Sequence, residues 1–250
     1  MSDFNRGYTR PATAGPADMA VDAGLRAFML GVFNKVGLGL VLSAAMAYLT
    51  GAYAPVTQLM FQQSADGRVG FTLLGTIVTF APLAIILFSG MAMRSITPRS
   101  SGIVYWSIVA LIGASMGLLV LRYTGASIAT TFLVTAATFG SLSLVGYTTK
   151  RDLTGMGSFL IMGLVGLIIA MFVNMFLHSS AMAFIVNVLG VLIFAGLTAY
   201  DTQRLKMTYY SLGGNQSAMG VATNYGALSL YLDFINLFQF LLAFMGGSRR

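Results

Sequence analysis

The segment Ala-Leu-Ser-Leu-Tyr-Leu-Asp-Phe-Ile-Asn-Leu-Phe, residues 227–238, places one aspartate, Asp233, inside an otherwise apolar run. The run extends from 225 to 245, and an α-helix needs about 20 apolar residues to cross the hydrocarbon core of a membrane. A charged side chain at the centre of such a helix costs about 2.5 to 3.5 kcal/mol on insertion scales. The segment therefore predicts a membrane helix whose aspartate faces protein or water rather than lipid.

The composition of the whole chain leads to the same class of protein. Of 250 residues, 57% are hydrophobic and only 8% are charged, whereas a soluble domain carries about 25% charged residues. The seven acids are all aspartates, there is no cysteine, and His178 is the single histidine, so we expect neither a histidine–cysteine metal site nor a tightly bound cofactor. The formal charge of +7 is spread singly between apolar runs, which indicates membrane orientation rather than nucleic-acid binding.

Seven stretches have the length and hydrophobicity of a membrane span. They predict an all-α polytopic protein with helices near residues 28–53, 70–93, 102–121, 125–147, 155–177, 181–200 and 225–245. The connections between them are too short to hold a soluble domain. We therefore predict a cytoplasmic tail at 1–26 and a single seven-helix domain at 27–250.

Lysine and arginine placement predicts that the N-terminus is cytoplasmic, because short inner loops carry an excess of these residues. With that orientation ten basic residues lie on the inner side: Arg6, Arg10, Arg26, Lys35, Arg94, Arg99, Lys150, Arg151, Arg204 and Lys206. The outer side then carries four, namely Arg68, Arg122, Arg249 and Arg250. Seven spans put the C-terminus outside, and a re-entrant last helix would put it inside; the sequence leaves both open.

The last predicted helix carries a polar stripe. At 100° per residue, five polar side chains fall within an arc of about 120°: Tyr225, Ser229, Asp233, Asn236 and Gln239. Since polar side chains avoid lipid, the stripe predicts that this helix is enclosed by the other six.

Asp201 ends the sixth predicted span, and it lies at a similar depth to Asp233 if that helix continues past Tyr200. Two carboxylates close together in a low-dielectric bundle cannot both ionise cheaply, so we expect a shared proton and a pH sensor. Each aspartate also has a purely structural interpretation, as a buried carboxyl group or a solvated helix end. Arg94 closes the second span, where it is either a membrane-surface arginine or the ion-pair partner of Asp201.

Three segments resemble the Bax inhibitor-1 family. Residues 227–238 are similar to the signature of its last helix, Ala199-Tyr200-Asp201-Thr202-Gln203 is similar to its sixth-helix motif, and residues 22–30 look like the entry of its bacterial branch. The resemblance implies seven helices with the last one central and six wrapped around it. It also implies a pH-sensitive calcium leak in which Asp201 and Asp233 form a hydrogen-bonded sensor and Arg94 latches the pair.

Three functional hypotheses follow from the resemblance and from the two aspartates. Calcium takes six to eight oxygen ligands, so Asp201 and Asp233 would hold it only weakly and in transit, with no resident metal. Bacterial relatives are also linked to a membrane-bound AAA protease, so a regulator without transport is a second hypothesis. An intramembrane aspartyl protease is a third, although the Gly-x-Gly and Pro-Ala-Leu motifs of that class are absent; we therefore expect no enzyme. The glutamate that some members of the Bax inhibitor-1 family carry in the second helix is missing from this chain.

Together these observations predict an integral protein of a bacterial inner membrane. Its surroundings are the lipid bilayer, and the species that pass through it are calcium ions and protons. The oligomeric state is left open.

Overall fold

A computed structural model describes residues 23–63, 69–92 and 96–247. Its elements, in chain order, are α1 Ala23–Ala52, α2 Ala54–Met60, β1 Phe61–Gln63, β2 Val69–Phe71, α3 Leu73–Ala92, α4 Pro98–Ser115, α5 Gly117–Arg122, α6 Gly125–Thr148, α7 Thr154–Leu177, α8 Ser180–Ser211 and α9 Gln216–Met245. Residues 23–26 of the predicted tail therefore belong to α1, and residues 1–22 lie outside the described part of the chain.

The predicted helical membrane architecture is confirmed. In the described ranges, six helices are long and apolar enough to cross a membrane: α1, α4 together with α5, α6, α7, α8 and α9. The predicted second span corresponds to α3, whose apolar part, Leu73–Ser89, is shorter and contains Pro82. Many large apolar side chains, such as Leu133, Phe159 and Leu192, are more than 60% exposed, as expected for a surface that contacts lipid.

The third predicted span is interrupted at Met116, which separates α4 from α5. The Thr50 hydroxyl of α1 donates a hydrogen bond to the carbonyl of Ala114 over 2.9 Å. A side chain that takes a carbonyl from the helical ladder is a common cause of a break. The sequence around Met116 does not indicate this break, because Thr50, the side chain that takes the carbonyl, belongs to another helix.

The predicted limits of the last two spans were too short. α8 continues to Ser211 instead of ending near Tyr200, and α9 begins at Gln216 instead of Tyr225. The polar end of α8 stays helical because Leu205 packs into the core. The start of α9 is fixed by Asn215, whose side chain accepts a hydrogen bond from the backbone of Ala218.

A small antiparallel hairpin, which the sequence did not predict, connects α2 to α3. Phe61 pairs with Phe71 and Gln63 with Val69. Strands of three residues are too short to show an alternating pattern in the sequence.

α9 is the most buried of the long helices. In its most apolar 18-residue window 56% of the residues are buried, against 11% in α7. It packs against α1, α4, α6 and α8, while α7 packs on α8 and α3 on α4. The ends of the bundle differ in charge: seven of the eight lysines and arginines in the described ranges lie at the end where α1 begins, which we call the basic end, namely Arg26, Lys35, Arg99, Lys150, Arg151, Arg204 and Lys206.

Glycines let α6 and α8 approach closely. A Cβ atom built on Gly146 would lie 2.1 Å from the backbone oxygen of Ala199, which is part of the α8 turn that carries Asp201. We therefore expect Gly146→Ala to reduce the free energy of unfolding by about 1–3 kcal/mol, the usual cost of overpacking.

Gly140 on the same helix provides the matched control, because a Cβ there meets no atom within 4 Å. Gly140→Ala should leave stability unchanged or raise it by up to about 1 kcal/mol through helix propensity. Thermal unfolding in detergent measures both variants, and equal melting temperatures would contradict this account of the α6–α8 contact.

Candidate functional site

α8 and α9 form a close antiparallel pair that positions the two aspartates. A Cβ on Gly226 of α9 would lie 2.4 Å from Leu205 Cδ2 of α8, and one on Gly190 of α8 would lie 2.6 Å from the Phe240 ring. Between these two contacts, the Ser229 hydroxyl donates a hydrogen bond to Asp201 Oδ2. Asp201 is thus level with Ser229, and Asp233 follows one turn later, about 6 Å along the axis at 1.5 Å per residue.

Both aspartates line a cavity of about 780 Å³ bounded by α3, α7, α8 and α9. Most of its wall is apolar, with side chains such as Leu83, Leu167 and Phe194. The polar side chains on the wall are Asn187, Tyr200, Asp201, Arg204, Ser229, Asp233, Asn236 and Gln239. Those on α9 extend from Ser229 to Gln239, or about 15 Å along the helix, so they cover roughly half of a hydrocarbon core.

Asp201 is buried, with 7% of its surface exposed, and it has two partners. Oδ2 accepts the Ser229 hydrogen bond, and Oδ1 lies 3.6 Å from Arg204 Nη1, one turn further along α8. Half of the Arg204 side chain is exposed, and such ion pairs contribute only about 0–1 kcal/mol. The Arg204 contact can therefore be exchanged for another partner at small cost.

Asp233 is equally buried but incompletely satisfied. Its exposed fraction is 5%, and its Oδ2 atom has no hydrogen-bond partner among the described residues. Leaving a buried polar atom unpaired costs about 1–3 kcal/mol. An unpaired carboxyl oxygen on a cavity wall is a site that can take up a proton, water or a cation.

The donors on the cavity wall include several oxygen atoms. The cavity offers the carboxylates Asp201 and Asp233 together with amide and hydroxyl oxygens, which suit a hard cation such as calcium. Within the described ranges no group of three or more histidine, cysteine or acidic residues could hold a metal ion.

The polar stripe predicted from the sequence lies largely on this wall. Ser229, Asp233, Asn236 and Gln239 line the cavity, and the Asn236 amide also donates to the Leu232 carbonyl over 2.8 Å. Tyr225 packs instead against the main hydrophobic core. Arg94, the predicted latch, lies outside the described residues.

Sequence reasoning missed Arg204 and Asn187 as cavity residues. The spacing of Asp201 and Arg204 is three residues, which is the spacing of neighbours on one helix face. That signal was overlooked because the predicted helix ended at Asp201, before Arg204. Asn187 carried no comparable signal, since a single amide in an apolar helix is compatible with many environments.

The cavity leads to a prediction about water access. The chain has no cysteine, so single cysteines introduced at Asn236 or Gln239 can be labelled without background. A charged, membrane-impermeant methanethiosulfonate reacts with the thiolate, which forms in water and not in lipid. We expect Asn236→Cys and Gln239→Cys to react faster than Leu192→Cys, whose side chain is 62% exposed on the outer surface of α8, by about tenfold or more.

Mass spectrometry of intact labelled protein in native membranes measures these rates. Equal labelling of the cavity positions and Leu192→Cys would mean that water does not enter the cavity.

Comparisons with known proteins agree with the geometry. Residues 25–250 match the family model described as inhibitor of apoptosis-promoting Bax1. The chain is 61% identical to an uncharacterized protein of Caulobacter vibrioides over the full length of both. It is 43% identical to the uncharacterized protein RP147 of Rickettsia prowazekii, over 97% of this chain and 98% of the relative. It is 40% identical to the inner membrane protein YbhL of Escherichia coli, over 91% and 94% respectively. The chain therefore belongs to the Bax inhibitor-1 family of integral membrane proteins.

Proposed function

We propose that this protein is a pH-sensitive calcium leak channel of the bacterial inner membrane, with the cavity bounded by α3, α7, α8 and α9 as the ion path. The observation that carries the proposal is the buried Oδ2 of Asp233, which has no partner among the described residues. It lies on the wall of a cavity that also contains Asp201 and further oxygen donors. An ionisable group inside a membrane bundle most often marks an ion or proton pathway.

The proposal includes the arrangement in the membrane. All seven apolar helices, α3 among them, would span the bilayer, and α9 would be the axis around which the other six are arranged. The basic end would be cytoplasmic, since it holds seven of the eight lysines and arginines in the described ranges and inner loops are enriched in lysine and arginine. The 40% identity to an E. coli inner membrane protein supports this location.

Calcium suits the path because conduction needs binding that is favourable but weak. Asp201 and Asp233 supply charge, and Ser229, Asn236 and Gln239 supply neutral oxygens on the same wall. Two carboxylates with water and amide oxygens can replace part of the hydration shell without trapping the ion.

The gate would be the arginine that holds Asp201. In this structure that arginine is Arg204, and Arg94 is a second candidate from the resemblance. As pH falls, a proton taken up by the carboxyl pair removes the charge that attracts the arginine. The population then shifts toward an open cytoplasmic mouth, so leak should be greater at mildly acidic than at alkaline pH.

The central test is calcium uptake into proteoliposomes across a pH series. Asp233→Asn should flatten the pH dependence, because the titrating pair no longer exists, and Asp201→Asn should do the same. Asp152→Asn is the matched control, since Asp152 is an exposed loop carboxylate that does not line the cavity. Flux that depends on pH equally in all four proteins would contradict the proposed role of the pair.

A second experiment tests the gate at neutral pH. Arg204→Gln should raise resting calcium leak by up to about fivefold, because an ion pair of at most about 1 kcal/mol is lost. Arg99→Gln removes an exposed arginine from the same end of the bundle and should leave leak unchanged. Arg94→Ala, compared in the same assay, tests the latch predicted from the sequence.

Unchanged leak in both Arg204→Gln and Arg94→Ala, in protein shown to be folded, would contradict an arginine gate. Folded wild-type protein with no calcium flux at any pH would contradict the channel. The remaining hypothesis would then be a regulator that binds a membrane-bound AAA protease or other membrane partner.

A further inference from the structure

A second cavity, of about 350 Å³, lies at the basic end beside the α6–α7 connection. Four cations line it, Lys150 and Arg151 from the connection and Arg204 and Lys206 from α8, together with one carboxylate, Asp152. This excess of positive charge distinguishes the second cavity, which we call the basic pocket, from the cavity lined by Asp201 and Asp233, which we call the aspartate cavity.

The basic pocket is held in shape by one side chain. The Gln203 amide nitrogen donates to the Arg151 carbonyl over 2.7 Å, and the Gln203 amide oxygen accepts from the Leu153 backbone N–H over 2.8 Å. Both polar atoms of Gln203 thus fasten the connection to α8. A ligand would meet a pocket that is already ordered, so less binding energy is lost in ordering it.

Lys206 is the strongest indication of a ligand. Its exposed fraction is only 7%, and its ammonium group donates to the Tyr147 carbonyl over 2.9 Å. An ammonium group has three N–H donors. In the described part of the chain the only ion pair joins Arg204 to Asp201, so Lys206 has no carboxylate partner there. A buried cation without a counter-charge is costly, and an anion in the basic pocket would supply that charge.

The acid on the wall does not fill this role. The Asp152 carboxylate accepts hydrogen bonds from the Thr154 hydroxyl at 2.6 Å and from the Thr154 backbone N–H at 2.9 Å. These bonds, both to Oδ1, lower the pKa of Asp152 below its ordinary value, so it remains ionised, and among the described residues it forms no ion pair with any of the four cations. Lys150, Arg151 and Lys206 therefore have no acidic partner among the described residues, and Arg204 is paired only with Asp201.

We propose that the basic pocket binds a phosphate-class anion, either the phosphate of an anionic lipid headgroup or a free phosphate. Arginine offers a planar pair of N–H donors that match phosphate oxygens, and lysine adds point charge. The cytoplasmic leaflet, which this end of the bundle would face, provides anionic headgroups at high local concentration.

The position of Arg204 gives the site a regulatory consequence. Arg204 and Tyr200 line both the basic pocket and the aspartate cavity. An anion in the basic pocket competes with Asp201 for the Arg204 guanidinium, so binding releases Asp201 and raises calcium leak. This coupling rests on the proposed channel function, whereas anion binding itself does not.

Binding is tested first, with purified full-length protein in neutral detergent. The probes are inorganic phosphate, with chloride at equal ionic strength as control, and phosphatidylglycerol, with phosphatidylcholine as control. Thermal unfolding measures protection, and native mass spectrometry counts bound lipid. The variant Lys150→Gln/Arg151→Gln removes two exposed pocket cations and should weaken binding about tenfold.

Arg26→Gln/Arg99→Gln is the matched control, because it removes two exposed cations from the same end and away from the pocket. It should bind as the wild type does. Protection by phosphate identifies a free phosphate as a ligand, and protection by phosphatidylglycerol alone identifies a lipid headgroup. Binding of neither probe, or equal loss in both double variants, overturns the site.

Calcium flux is then measured in vesicles with and without the anion that binds. The anion should raise leak in the wild type and in Arg26→Gln/Arg99→Gln, and not in Lys150→Gln/Arg151→Gln. If the anion binds specifically and the leak depends on pH but is not altered by the anion, the coupling is overturned and the site is retained. Specific binding with no leak under any condition retains the site and contradicts the channel.

Discussion

Hydrocarbon cannot solvate a carboxyl group, and this constraint favours burial of the helix that carries one. Asp233 stands near the centre of an apolar helix, so that helix has to turn the aspartate toward protein or water. Its other faces are enclosed as well, since Leu230, Tyr231 and Leu237 have no exposed surface. The remaining helices can then present largely apolar outer surfaces to lipid, as α7 does.

Two faces of α9 carry polar groups, and among the described residues only the face of Asp233 has a buried polar atom without a hydrogen-bond partner. On the first face, the Tyr231 hydroxyl is 2.7 Å from Ser43 Oγ, and Ser43 donates to the Val109 carbonyl over 3.1 Å. These bonds join α9 to α1 and α4. On the other face, Asp233 borders open space with an unpaired oxygen. Completed hydrogen bonds favour a structural role for the first face, and the unpaired oxygen favours a functional role for the second.

The sequence was sufficient to predict what one helix determines by itself. The apolar runs and the stripe from Ser229 to Gln239 follow from composition and a period of 3.6 residues. What it could not predict depends on contacts between helices: the break at Met116 needs Thr50 of α1, and the helical continuation past Asp201 needs the core around Leu205. Because the end of α8 was misplaced, Arg204 was not recognised as the partner of Asp201.

The strength of the Asp201–Arg204 pair fits a reversible contact better than a structural one. A fully buried ion pair would lose about 3–5 kcal/mol if one partner left, which would hold α8 in a single state. Here the guanidinium is half exposed and 3.6 Å from the carboxylate, so its contribution is at most about 1 kcal/mol. A difference of that size changes populations by about fivefold. In the proposed channel, protonation of the carboxyl pair, or an anion bound in the basic pocket, would therefore be sufficient to shift the population between the paired and the released state of Arg204.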